Sequence, residues 1–247
     1  MIKQKINIIL IISLLFSSCE EDSIFKYINK PDSLTEITID LPKVNRLIVY
    51  DDINVQLVPD TINKLTIKTN EILIDKITYK TKGDTLILQN ENPYNFTSYD
   101  EFVQTQLHIT KSFNRIETNG TGIINCSDTI KNESLTLYAY LNAGEFNLVV
   151  NTKHLSIPCH TYATTDYTIK GFTENLSTAS LGIGKFNLLD LKTNNANIWH
   201  YGINDLYINV KNNLSVKIWN VGNVYYKGNP KITSTETTSK GKLIHID

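Results

Sequence analysis

Three groups of residues in this chain have types and spacings that could do chemistry. The first is Gly182-Ile183-Gly184-Lys185, which has the look of a phosphate-cradling loop. Such a loop must open a helix, so that backbone N–H groups and the helix dipole aim at the anion. Here an alternating apolar segment, FNLLDL from Phe186, follows instead. The second group is Glu145, Asp166 and Asp205, which share one turn position. Glycoside hydrolysis needs two carboxylates about 5 to 9.5 Å apart. Lys185 and Lys242 fill the same position elsewhere, so the edge reads as a solvated row of mixed charge. The third group is the five histidines, His108, His154, His160, His200 and His245. None has a second His or Cys at zinc spacing. His160 and His200 are expected on one surface, two coils apart, about 10 Å by strand spacing and too far for one metal. No catalytic residue, metal or cofactor is therefore assigned.

The elements that must carry these residues are repeats. GTGII from Gly120, NAGEF from Asn142, ATTDY from Ala163, GIGKF from Gly182, GINDL from Gly202, NVGNV from Asn220 and SKGKL from Ser239 align as seven pentads, 18 to 22 residues apart. Each opens with a small residue or Asn and ends on an apolar one. Alternating segments flank them, such as LSVKIW from Leu214 before and LYINV from Leu206 after. Gly and Asn suit such corners because they tolerate positive φ. The phosphate-loop look is thus one instance of a repeated turn. Val, Ile, Leu, Thr and Tyr abound, and no long segment after residue 18 has helical period. A unit of about 20 residues cannot bury its apolar face alone, but stacked copies can. The expected fold is all-β: a right-handed, single-stranded β-helix or β-solenoid, seven coils forming a rod of roughly 30 Å. Residues 41–110 also read as strands.

The N-terminal residues carry a targeting pattern. Lys3 and Lys5 precede an apolar run from Ile6 to Phe16, then Ser17, Ser18 and Cys19. The run is too short to span a bilayer and has the pattern of a secretory signal. Leu15 to Cys19 resembles a bacterial lipobox, which implies cleavage before Cys19 and its acylation. Residues 1–18 read as a lipoprotein signal peptide, 19–40 as a tether and 41–247 as the solenoid domain. Glu20, Glu21 and Asp22 resemble a signal for display on the outer face of the cell, with a merely solvated tether on the periplasmic face as the alternative. The expected location is the cell envelope, as an outer-membrane lipoprotein, with the membrane as partner through the anchor. The mature chain of about 229 residues has room for one large domain. Net charge is −1 and arginine occurs only at Arg46 and Arg115, so nothing points to nucleic acid. Cys126 and Cys159 read as two buried free thiols, with a disulfide the alternative.

The opening VNRLIVYDDINVQLV and the closing VGNVYYKGNPKITSTETTSKGKL resemble a known family, the putative auto-transporter adhesin, head GIN domain. The resemblance covers about residues 41–247 and implies a β-helix-like fold in an envelope protein. It carries over no catalytic residue. ATTDY has lost its glycines and GINDL its second, so those corners are expected to be looser.

Counting one residue back from the pentads gives a column of Leu141, Tyr162, Leu181, Tyr201 and Trp219. Alternation puts Ala196, Ile198, Leu214, Val216 and Ile218 inward, so Trp199, Tyr201 and Trp219 are expected outward, with Tyr201 and Trp219 about 5 Å apart. Exposed aromatics there would offer flat faces to sugar rings. The alternative is that the column is structural. The expected function is a non-enzymatic, adhesin-like binding scaffold for a glycan or an envelope protein. A β-helix polysaccharide lyase or hydrolase and a purely structural spacer remain the alternatives.

Overall fold

Alternating apolar residues commit the chain to strands, and its stacked coils bury what each alone would expose. The computed structural model describes residues 34–71, 73–92, 103–140, 143–161 and 163–247. It is a β-solenoid of about six turns, rather than seven coils, with stacked parallel strands. Residues 1–33, with the signal peptide, Cys19 and most of the tether, and the column residues Leu141 and Tyr162 lie outside the described residues.

Five long strands build the rod: β9 (Ile123–Ala139), β10 (Glu145–Cys159), β11 (Asp166–Ser180), β12 (Phe186–His200) and β13 (Leu206–Ile218), each parallel to the next. Each is long enough to serve two sheets. In β10 the in–out alternation breaks at Lys153 and His154, which are both exposed, and resumes in opposite phase. That break is a corner. Glu133-Ser134 makes the same break in β9, and in β13 the three exposed residues Lys211-Asn212-Asn213 interrupt the alternation at the same place, which resumes there in the same phase. The first halves form one sheet, completed by β14 (Val224–Lys227) and β16 (Leu243–His245). The second halves form the other, completed by β15 (Lys231–Thr237).

The N-terminal strands cap both sheets. In the first sheet β9 is followed outward by β3 (Asn54–Pro59), β7 (Gln104–Ile109), β4 (Lys64–Asn70) and β1 (Leu34–Asp40). In the second, β9 is followed by β8 (Arg115–Gly120), β2 (Arg46–Asp51), β6 (Thr85–Asn90) and β5 (Ile77–Lys82). The outermost pairs, β1 with β4, β4 with β7 and β5 with β6, are antiparallel. Residues 34–40, read in the sequence as the end of a tether, are thus an edge strand of the sheet.

The apolar ends of the seven pentads form one continuous column. Ile124, Phe146, Tyr167, Phe186, Leu206, Val224 and Leu243 pair in succession across the coils. Phe146, Tyr167 and Phe186 stack inside the rod, with ring centroids 5.2 and 4.6 Å apart. Offset stacking of this kind adds about 0.5–1.5 kcal/mol per pair beyond area burial.

Candidate binding face

The turn chemistry resolves first, because it positions everything else. Asp166 Oδ1 accepts a hydrogen bond from the backbone N–H of Lys185 at 2.8 Å. Asp205 Oδ1 accepts from the backbone N–H of Asn223 at 2.9 Å and from its side-chain amide at 3.1 Å. Asn223 in turn accepts from the Lys242 N–H at 3.0 Å. Asp166 and Asp205 therefore each tie their turn to the next coil, whereas Glu145 accepts from the Asn147 side chain of its own coil at 3.2 Å. Gly184 does not sit at positive φ; among the described glycines only Gly83, Gly171 and Gly228 do. A Cβ on Gly184 would instead run into the backbone carbonyl of Thr165 in the preceding turn. Close coil-to-coil approach, and not φ, sets that residue.

The histidines and cysteines fall on both sides of the wall. His160 is half-buried, its ring 4.7 Å from that of Tyr140. His200, expected on the surface, is buried, because Ile198 inward puts His200 inward too at period two. Its Nδ1 lies 3.2 Å from Ser180 Oγ. Gly202 and Gly222 leave space for the ring, since a Cβ on either would meet it. A Ser–His pair invites thoughts of hydrolysis, yet both residues are only 1 % exposed and no substrate can reach them. Cys126 and Cys159 are free and buried. Burial, with Asp128 adding repulsion, pushes the Cys126 thiol up to about 12. Burial also raises Cys159. Neither provides a thiolate nucleophile near neutral pH. Among the described residues no group of three or more His, Cys, Asp and Glu could hold a metal.

What remains is the outer face of the second sheet. One column reads Tyr138, Pro158, Ala179, Trp199, Lys217 and Glu236. The next, linked by backbone N–H bonds to the coil before, reads Tyr140, His160, Leu181, Tyr201, Trp219 and Thr238. Leu181, Tyr201 and Trp219 stand where the sequence put them. Earlier in the column Tyr140 and His160 occupy the positions assigned to Leu141 and Tyr162. The turns after Ala139 and Cys159 run one and two residues longer than those after Ser180, His200 and Ile218.

The aromatic cluster is open to solvent. Trp199 is 43 % and Trp219 40 % exposed, and Tyr201 is half-buried. Tyr201 and Trp219 meet edge to face, centroids 4.3 Å apart, rather than face to face. Lys217 Nζ sits 5.7 Å from the Trp199 ring and 5.9 Å from the Trp219 ring. The same ammonium is 3.2 Å from Glu236. These contacts help to hold both indoles in place at the surface. Lys217 is the residue that sequence reading missed; its position two residues before Trp219 was the available signal.

Beside the aromatics lie two polar columns. Ser156, Ser177, Asn197 and Ser215 pair in succession and face outward. At the corner, Asn213 donates to Asn195 at 2.8 Å and Asn195 to Asn175 at 3.2 Å. A shallow trough of about 300 Å³ runs over these columns. A second concavity, of about 480 Å³, lies on the opposite sheet between Lys185, Leu189 and Tyr207. Asp205 on its rim is already engaged as a turn tie, and the sheet around it is dotted with charge, including Lys170 at 3.6 Å from Asp190.

The molecule is therefore a β-solenoid whose turns are structural and whose second sheet carries an open aromatic and polar face. The chain belongs to the family described as putative auto-transporter adhesin, head GIN domain, whose model matches residues 44–230. The closing segment beyond residue 230 that resembles the family pattern falls outside the match. Solved structures share the fold. A putative adhesin from Bacteroides fragilis superposes with a TM-score of 0.77 at 17 % identity, covering 87 % of this chain and 98 % of the other. A putative adhesin from Parabacteroides distasonis gives 0.64 at 15 % identity, covering 87 % and 97 %. A putative lipid binding protein from the same species gives 0.58 at 15 % identity, covering 87 % and 98 %. No curated protein matches the chain.

Proposed function

We propose that this protein is a non-catalytic, adhesin-like binding scaffold of the cell envelope, held to the membrane by acyl chains on Cys19. The observation that carries the reading is the cluster of exposed Trp199 and Trp219 with half-buried Tyr201, beside polar serine and asparagine columns on the same sheet. Large exposed aromatics cost solubility and are kept where they meet a partner. The family and the fold neighbours support an adhesin-like role. The buried Ser180–His200 pair and the engaged turn carboxylates support a non-catalytic one. The test is gain of function. Displaying the full-length chain on a non-adherent host should make the cells bind surfaces coated with glycans or with matrix or envelope proteins. Equal binding by cells with and without the chain, across all coatings, would contradict the reading.

A further inference from the structure

From the charge pattern of the second sheet we infer that the ligand is an uncharged polysaccharide, laid across the coils with sugar rings on Trp199 and Trp219. This rests on the binding role proposed above and deepens it. Between β10 and β13 the sheet's outer columns carry hydroxyls, amides, aromatics, the small apolar residues Pro158, Ala179 and Leu181, two histidines and one permanent charge, Lys217, while the charges Lys153, Glu174 and Lys211 stand beyond them at the corner, with Lys153 paired to Glu133 at 2.8 Å. That charge is already matched by Glu236 at 3.2 Å. The first sheet, by contrast, bears Glu145, Asp166, Lys170, Lys185, Asp190 and Asp205 on its outer face and edge. Such segregation selects among partners.

Nucleic acids and acidic glycans need several unpaired cations, which this face does not offer. A protein partner would favour an apolar core with serine depleted, whereas here Ser156, Ser177 and Ser215 line the row beside the indoles. A neutral sugar chain fits both halves. The apolar faces of its rings pack on indole, and its hydroxyls, each donor and acceptor, meet hydroxyls and amides that are also donor and acceptor. Trp199 and Trp219 lie one coil and two residues apart, about 8 Å between Cα atoms by strand geometry. That spacing lets one extended chain touch both. The stacked coils prolong the row along the rod, which suits a polymer more than a single sugar.

The experiment is native affinity electrophoresis of the full-length chain in detergent. Gels carry a neutral β-glucan, α-mannan, galactan or xylan, or a polyuronate of similar size. At least one neutral polysaccharide should retard the chain, with affinity changing less than twofold between 0.05 and 0.5 M salt. Trp199→Ala and Trp219→Ala should each weaken it at least tenfold, Trp219→Phe should retain most of it, and Asn197→Ala should weaken it several-fold. Retardation by polyuronate alone, or by no polysaccharide, overturns the inference. If displayed chain still confers adhesion to protein coatings in that case, the binding role stands and only the ligand class falls. If it confers none, the binding role falls as well.

Discussion

His200 is a buried base whose state depends on pH. Burial lowers its pKa from the ordinary 6.5, and the Asn204 backbone and the Asp205 carboxylate oppose that shift. The folded chain therefore binds this proton less readily than the unfolded chain. The contribution to stability is full above about pH 6.5, declines as pH falls below it, and levels off only below the depressed folded value. Urea midpoints at pH 7.5 and 5.0 should show wild type losing more stability on acidification than His200→Gln. Equal losses would place the acid sensitivity elsewhere. Gly184 makes a steric prediction at the same scale. Gly184→Val drives side-chain atoms into the Thr165 carbonyl and should cost about 1–3 kcal/mol. It should do so without any change in nucleotide binding, of which none is expected; a wild-type ATP affinity lost in the variant would contradict the structural role.

At the scale of the element, the turn is the unit that holds coil to coil. Asp205→Ala leaves two donors of Asn223 without their acceptor and should cost about 1–2 kcal/mol by chemical denaturation. Asp205→Asn keeps an acceptor and should recover most of that loss, as Asn223 does the same work one coil on. Failure of Asn to recover stability would mean that charge, and not the tie, matters. The turns also mark what was legible from sequence. Period-two alternation and the terminal apolar residue of each pentad gave the strands and their stacking, because burial imposes that phase on every coil. The aromatic column was legible only where turn length was constant. Leu181, Tyr201 and Trp219 were placed correctly, but the longer turns hid Tyr140 and His160. A turn tolerates an added residue without disturbing the core, so its length leaves no periodic trace. Gly at the corners suggested a tolerance for positive φ, but the reason for Gly184 is a different one: its constraint comes from a neighbouring coil, which local sequence does not display. His200 was legible in principle, since the alternation that turns Ile198 inward turns it inward too.

For the whole molecule, the account joins an anchor to a rigid binding face. If the proposed acyl chains on Cys19 supply the membrane affinity, at about 0.8 kcal/mol per buried methylene, Cys19→Ala should move the protein out of the detergent phase. Partitioning of the variant like wild type would remove the anchor from the account. The face itself is tested most directly by one double variant, Trp199→Ala/Trp219→Ala, measured for adhesion and for thermal melting in the same preparation. Both residues are about two-fifths exposed and face away from the core, so their loss opens no cavity in it. A change of about 1 kcal/mol moves the melting temperature of a domain this size by only about 2–4 °C. The account predicts adhesion reduced at least tenfold with melting shifted by no more than that. Full adhesion in the variant, or adhesion lost only together with a collapse in melting temperature, would contradict the claim that these indoles are the binding surface.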